Sequence, residues 1–297
     1  MYFFYCFFDF FFIFLLKLKY KKMAIKKVIH CSDIHIKNFL RHEEYAEQLN
    51  KFIEKCVEIC EPYEKDEVRI VIVGDLIDQK NNISPELITF VSTFIRQLEE
   101  IAKVIVIAGN HDLIVSNLSR KDAISSIFET ACFDNAFLLD MELNYQSGYV
   151  IDDNITWSLY SIFDGFNKPN IEEAKNDYPN NKIIGLYHGM VIGSMLYNGT
   201  IVDSGVQGYL FDGCDCVMAG DIHKQQELKR GDVTIVYPSS LIQQNYGETI
   251  TQHGFVVWDI ETMTNEFVSL SSDYGMYKFE IKNIEDIDKN KEILVNY

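Results

Sequence analysis

Five times along this chain a short apolar run ends at residues that can bind a metal ion. The runs are Lys27–His30, Val68–Val73, Val104–Ala108, Lys182–Tyr187 and Asp215–Ala219, with the length and β-branched content of buried strands. Asp33 and His35 follow the first, and Gly74-Asp75 the second. Gly109-Asn110-His111-Asp112 follows the third, His188-Gly189 the fourth, and Gly220-Asp221-Ile222-His223 the fifth. In α/β sheets the carboxyl ends of strands line the ligand crevice, so these groups are expected at one edge. The glycines are expected to let the backbone turn sharply there. Taken singly, a Gly-Asp is a common turn and a lone histidine is usually a hydrogen-bonded one. Five such sets in order, each at a strand end, point to a site.

Helical stretches separate the early runs. Residues 41–61 place Tyr45, Leu49, Phe52, Ile53, Cys56, Val57 and Cys60 on one face. Ser84-Pro85 predicts an N-cap with proline at the first helical position, opening a helix to about Glu100. Strands alternating with helices predict an α/β layered fold.

The candidate ligands are Asp33, His35, Asp75, Asn110, His188, Asp221 and His223. Seven mixed oxygen and nitrogen donors are too many for one zinc ion with an open position. They suit two octahedral ions sharing a bridging carboxylate. The absence of cysteine from the set disfavours soft metals, and carboxylate, amide and imidazole together suit Mn²⁺, with Fe, Zn or Mg as alternatives. Two such ions polarise a phosphate, activate a water and steady the leaving oxygen, which makes phosphoester hydrolysis the expected reaction. His111 is not needed for the ligand count. Its type suits protonation of a leaving alkoxide, so it is the candidate general acid; the alternative is that it orients a ligand.

Length and charge bound the rest. A chain of 297 residues with 47% hydrophobic content suits one large domain, or one domain and a fragment of another. The net charge of −17, from 44 acidic and 27 basic side chains, is unlike that of a free-standing DNA-coating protein. Attraction to nucleic acid would have to come from local patches, metal ions or a partner. Lys224, Lys229 and Arg230 are such a patch, or else a solvated turn. Seven cysteines without regular spacing read as reduced thiols in an intracellular protein.

Residues 1–22 differ from the rest. The phenylalanine-rich run Tyr2–Leu16 is shorter than the roughly 20 residues that span a bilayer, and its lysines follow rather than precede it. Met23 opens "MAIKKVIHCSDIH", which reads as a natural start. Residues 1–22 are therefore expected to lie outside the fold, with a membrane anchor as the alternative. Residues 23–260 form the expected catalytic domain.

In order along the chain, D-x-H, G-D, G-N-H-D, H and G-x-x-H resemble the calcineurin-like metallophosphoesterases over about residues 24–260. Two further stretches are similar to the DNA-repair nuclease branch, the SbcD-like subunit of SbcCD-type complexes. One is "LIDQKNNISPE" after Asp75; the other is "GDIHKQQELKRGDVTIVYPSSLIQQNYGE", residues 220–248. The resemblance implies a layered β-sandwich flanked by helices, with a dinuclear site at strand C-terminal ends. It implies one ion on Asp33, His35, Asp75 and His223, and a second on Asp75, Asn110, His188 and Asp221. His111 matches the family's catalytic histidine. It also implies DNA as substrate, an SMC-like ATPase partner, and a homodimer formed through helices near 85–100 and 122–128.

The chain departs from the pattern at Asp221, where the family commonly has histidine. Asp78 stands where nuclease members often place a second catalytic histidine. Ser239 replaces a glycine, which matters if that turn needs a positive φ. Residues 261–297 read as the start of an incomplete capping region, with "YGMYKFEIKN" as one strand and without the usual ATPase-binding segment. Three functions therefore stay open: a Mn²⁺-dependent DNA exo/endonuclease, a small-nucleotide phosphodiesterase or phosphatase, and a catalytically weakened adaptor.

Overall fold

A computed structural model describes residues 24–80, 83–114, 116–117, 121–288 and 291. Residues 1–22, expected to lie outside the fold, are outside the described residues. Two six-stranded sheets face each other. The first contains β1 (Lys27–Cys31), β2 (Val68–Val73), β3 (Lys103–Ile107) and β4 (Ala136–Leu138), with β11 (Gly254–Asp259) and β12 (Thr264–Ser269), in the order β12-β11-β1-β2-β3-β4. The second contains β5 (Gly148–Asp152), β6 (Ile155–Tyr160), β7 (Lys182–His188), β8 (Cys216–Gly220), β9 (Gln226–Arg230) and β10 (Val233–Tyr237), in the order β5-β6-β7-β8-β10-β9. Strands β1 to β4 pair in parallel, as do β6, β7, β8 and β10; antiparallel pairing adds β11 and β12 beside β1 in the first sheet, and β5 and β9 at the two edges of the second.

The central strands read as unbroken apolar runs because both their faces are buried. Alternate residues of β2 serve two cores. Val71 and Val73 face the second sheet, where Trp157, Ile184, Leu186 and Met218 meet them. Ile70 and Ile72 face the helices His42–Cys60, Pro85–Ile101 and Ala123–Ala131 through Phe52, Phe94, Ile95 and Ile124. The outer face of the second sheet is covered by Ile171, Ala174 and Phe211. The molecule is thus an α/β layered sandwich, as expected, but the converging strand ends come from two facing sheets rather than from one edge.

Helix boundaries follow the predicted signals. Ser84 Oγ accepts from Leu87 N at 3.2 Å, capping Pro85–Ile101. Of its apolar residues, Leu87, Val91, Phe94, Ile95 and Leu98 are consumed by the core, while Ile88 stays 39% exposed. Val57, placed by periodicity on the buried face of the first helix, is exposed.

Two expectations near the end differ. Thr264–Ser269, within the stretch 261–297 read as the start of a capping region, pairs as β12 with β11 and extends the first sheet. Residues 274–283 were expected to form a strand and form none. Among the described residues no helix is long and apolar enough to cross a membrane.

Candidate metal centre

The loop leaving β1 runs alongside the loop leaving β2. Asp33 N donates to Gly74 O at 3.2 Å, His35 N to Asp75 O at 2.9 Å and Ile36 N to Leu76 O at 3.0 Å. The backbone is strained along this ladder, with Asp33, His35 and Asp75 at φ 55, 51 and 53°, and Asp221 across the seam at φ 90°. Each such conformation costs of order 1–3 kcal/mol and persists only where neighbours fix it. Asp112 is one such neighbour. Its buried carboxylate accepts from Asp75 N (2.9 Å), Ile77 N (3.1 Å) and Gly109 N (2.8 Å).

The glycines of the three motifs have a different use from the one expected. Gly74 does take φ 76°, but Gly109 and Gly220 are not in the left-handed region. They are required by close approach. A Cβ on any of the three would run into the His188 imidazole, and on Gly109 also into Asp75.

All seven predicted ligands come together, in two groups that share Asp75. On one side, His35 Nε2 lies 3.1 Å from His223 Nε2, 3.5 Å from Asp75 Oδ2 and 3.9 Å from Asp33 Oδ1. On the other, His188 Nε2 lies 3.2 Å from Asp75 Oδ2, 3.1 Å from Asn110 Oδ1 and 3.9 Å from Asp221 Oδ1. Asp33 also reaches across the seam, accepting from Asp221 N at 3.0 Å.

The hydrogen bonds behind these rings fit a bound cation. His188 Nδ1 faces the Val73 carbonyl at 2.8 Å, which can only accept, so Nδ1 carries a proton and, in the neutral ring, the Nε2 lone pair points at three oxygens. His223 Nδ1 faces Glu248 Oε1 at 2.7 Å, which turns its Nε2 toward the nitrogen of His35. Convergent lone pairs of this kind repel unless a positive charge sits among them, and histidine ligands characteristically donate their other nitrogen in this way. The groups Asp33–His35–His223 and Asp33–Asp75–His188 have spacing suited to an ion.

The titration behaviour agrees. Burial lifts Asp33 to about 6 and raises Asp221, because neither charge is compensated by solvent. Burial also pushes Asp75 up, but the imidazoles of His188, His35 and His111 together outweigh it and hold that carboxyl well below the usual range. For His223 burial acts downward, yet the Glu248 bond and the Asp33 charge carry it to about 9.

His111 sits beside the ligands. Its backbone N–H donates to Asp75 Oδ1 at 2.8 Å, its ring stands edge-on to His35 at 4.6 Å, and its Nδ1 faces the Asp78 carbonyl at 2.8 Å. The Asp78 side chain is 3.7 Å from His35 Nδ1 and 3.4 Å from Lys37 Nζ. Among the basic residues suspected of meeting phosphate, Arg230 is committed elsewhere, donating to Ile192 O at 3.0 Å, and Lys229 stands on an exposed edge.

Two residues escaped the sequence reading. Asp112 is the last letter of the G-N-H-D motif. Glu248 ends the Y-G-E triplet and, besides His223, accepts from Gln244 N at 2.8 Å and Asn245 Nδ2 at 2.6 Å. The suspicion about Ser239 is met: it adopts φ 88° where a glycine would be at ease.

The chain is 36% identical over 268 residues to the uncharacterized protein R555 of Acanthamoeba polyphaga mimivirus. That match takes in 86% of this chain but 19% of the relative, so the chain spans about a fifth of that protein's length. Among solved structures it is similar to a novel archaeal phosphodiesterase, at 12% identity and a TM-score of 0.39 over 82% of this chain and 99% of the other. It is similar to a putative 5′-nucleotidase from Staphylococcus aureus, at 15% identity and a TM-score of 0.45 over 91% of this chain and 58% of the other. A hypothetical protein from Pyrococcus horikoshii gives 13% identity and a TM-score of 0.38 over 90% and 94%. Residues 26–236 match the calcineurin-like phosphoesterase family, and the chain belongs to that family of metal-dependent phosphoester hydrolases.

Proposed function

We propose that this chain is a two-metal phosphodiesterase acting on DNA, an SbcD-like exo/endonuclease of double-strand-break processing, recombination or replication. The observation that carries the two-metal reading is the position of Asp75, whose Oδ2 lies 3.5 Å from His35 and 3.2 Å from His188, within reach of both ligand groups. The DNA reading is supported by residues 220–248. That stretch carries the likeness to the nuclease branch, and it delivers Asp221 and His223 to the centre together with Glu248, which holds His223.

Asp33, His35, Asp75 and His223 would hold one divalent ion and Asp75, Asn110, His188 and Asp221 the other, with Mn²⁺ the proposed metal. When bound, such a pair polarises the scissile phosphate and supplies an activated water. The chain's own residues do the rest. The Val73 carbonyl and Glu248 fix the tautomers of His188 and His223, so that Nε2 of each faces the centre. The Asp78 carbonyl accepts the Nδ1–H of His111 and fixes the ring, so that in the imidazolium form, with both nitrogens protonated, Nε2–H is the donor to the departing oxygen. Asp75 Oδ1 accepts from the His111 backbone N–H, which ties the acid to the carboxylate that the two ligand groups would share. Asp221, where the family commonly has histidine, would add negative charge and lower the Lewis acidity of an ion held there.

A second reading, hydrolysis of small nucleotide diesters, draws support from the net charge of −17, which repels a long polyanion. An SMC-like ATPase partner and a second copy of the chain belong to the same proposal and are tested by co-purification and by mass measurement in solution.

The deciding experiment compares duplex DNA having free ends with an aryl phosphodiester, each with Mn²⁺, Mg²⁺ or EDTA, beside His111→Ala. Metal-dependent DNA cutting that is lost in the variant supports the nuclease. Diester cleavage without DNA cutting supports the second reading. Silence on both substrates, with folding intact, favours the adaptor.

A further inference from the structure

Beside the metal centre lies an open cavity of about 310 Å³, whose inner end is Asp221, His223 and Glu248 and whose outer wall is Tyr197, Asn198 and Lys224. The outer wall comes from two segments. Residues 190–206 leave β7 and fold back on themselves through Ile192 N to Val206 O (2.9 Å) and Leu196 N to Thr200 O (2.9 Å). Gln226 ties this segment to the start of β9, accepting from Met195 N at 2.8 Å and donating to Met195 O at 2.9 Å. The wall is therefore held in place.

Its polar groups differ in what they have left to give. Asn245, also on the cavity, is spent on Glu248 and Gly247. Asn198 uses its carbonyl oxygen on Thr200 N at 2.9 Å, which leaves the amide nitrogen as a donor. Lys224 is the unusual member. Two carboxylates line the same cavity, yet among the described residues its ammonium makes no ion pair and rests on the thioether of Met195 at 3.2 Å. Sulfur is a weak acceptor, so the charge is poorly satisfied within the chain. A lysine left in this state, next to an anion-processing centre in an acidic protein, is placed to meet an anion from outside.

We propose that this cavity is a nucleotide subsite: Lys224 binds the phosphate next to the scissile one, and the Tyr197 ring packs against the adjoining sugar and base, with Asn198 as a donor at the rim. The inference rests on the phosphodiesterase reading and adds to it a requirement for a substrate that extends at least one nucleotide beyond the reacting phosphate. Aromatic packing of this kind tolerates any base, so no sequence preference is expected from it.

The test uses the whole chain and the variants Lys224→Met and Tyr197→Leu, each checked for an unchanged thermal melt. Two readouts are taken: kcat/KM on a short oligodeoxynucleotide against that on bis(p-nitrophenyl) phosphate, and binding of the labelled oligonucleotide to metal-free protein by fluorescence anisotropy. Each variant is expected to lose about tenfold in oligonucleotide binding and kcat/KM, chiefly through KM, and far less on the aryl diester. Lys224→Met should also flatten the salt dependence of binding by about one unit of log K against log salt. Equal losses on both substrates, or wild-type values on both, would overturn the subsite while leaving the enzyme a nuclease. A wild-type chain that hydrolyses the aryl diester but neither binds nor cuts the oligonucleotide would overturn the subsite and the nucleic-acid reading together.

Discussion

Replacing Glu248 with glutamine tests whether the centre is built for cations. Glu248 Oε1 accepts from His223 Nδ1 at 2.7 Å, and its other oxygen accepts from Gln244 N at 2.8 Å. Glutamine has the same length but offers one oxygen instead of two. It can keep the His223 bond or the Gln244 bond, not both. In either case the negative charge that makes the imidazole a stronger donor is gone. Loss of such a carboxylate behind a histidine ligand typically costs 10–100-fold in metal affinity, or about 1.4–2.7 kcal/mol. The loss should be confined to one ion, because His188 is oriented by a main-chain carbonyl that the substitution does not touch. Calorimetric titration of metal-free protein with Mn²⁺ should therefore show two equal or similar sites in the wild type, and one weakened and one retained site in Glu248→Gln. A variant that melts normally and binds both ions within twofold of wild type would refute the reasoning, since His223 would then need no carboxylate to serve as a ligand.

Other expectations follow from the same geometry. Gly109→Ala should abolish metal binding and lower stability by roughly 1–3 kcal/mol, because its Cβ meets the Asp75 backbone and carboxylate and lies 2.8 Å from His188 Nε2; calorimetry and a denaturant melt check both effects. At position 239, Ser239→Ala should be less stable than Ser239→Gly by about 1–2 kcal/mol in denaturant melts, since both lose the bond from Gly254 N but only alanine keeps the φ 88° strain. Asp152 is buried and bonded to Arg69 and Lys103. Burial lifts its carboxyl, but those cations overcome this and bring it to about 2. A carboxyl lowered on folding stabilises above its unfolded pKa and loses that contribution as pH falls. Asp152→Asn should thus cost about 3 kcal/mol at pH 7, and the gap to wild type should close between about pH 4 and pH 2 in thermal melts.

The sequence made some elements plain and hid others for physical reasons. The strands β1, β2, β3, β7 and β8 are buried on both faces, so each appears as an unbroken apolar run. Strands β9 (QELKR) and β12 (TNEFVS) lie at sheet edges with much of their surface in solvent, and their composition resembles that of a loop. The convergence of the candidate ligands was legible because each sits at a strand end, next to a glycine or a second candidate. Glu248 was not, because it reaches His223 from 25 positions away in sequence through a loop with no periodicity. The Y-G-E triplet was the available sign. Asp112 stood inside a recognised motif, but its task of holding two backbone segments is visible only once those segments are folded together.

The candidate ligands divide by sheet. Asp33, His35, Asp75 and Asn110 ride on the strands of one, and His188, Asp221 and His223 on the other. A cation held by either group would be bonded across the seam, like a rivet through two plates. The distance between the plates is set elsewhere, by the thickness of the apolar filling that includes Trp157, Met218 and Trp258. Thinning that filling shifts one half of each coordination shell against the other without altering a single ligand. Catalytic competence is then a property of the gap as much as of the residues that line it, and the bulky side chains in the middle of the sandwich act as its spacers.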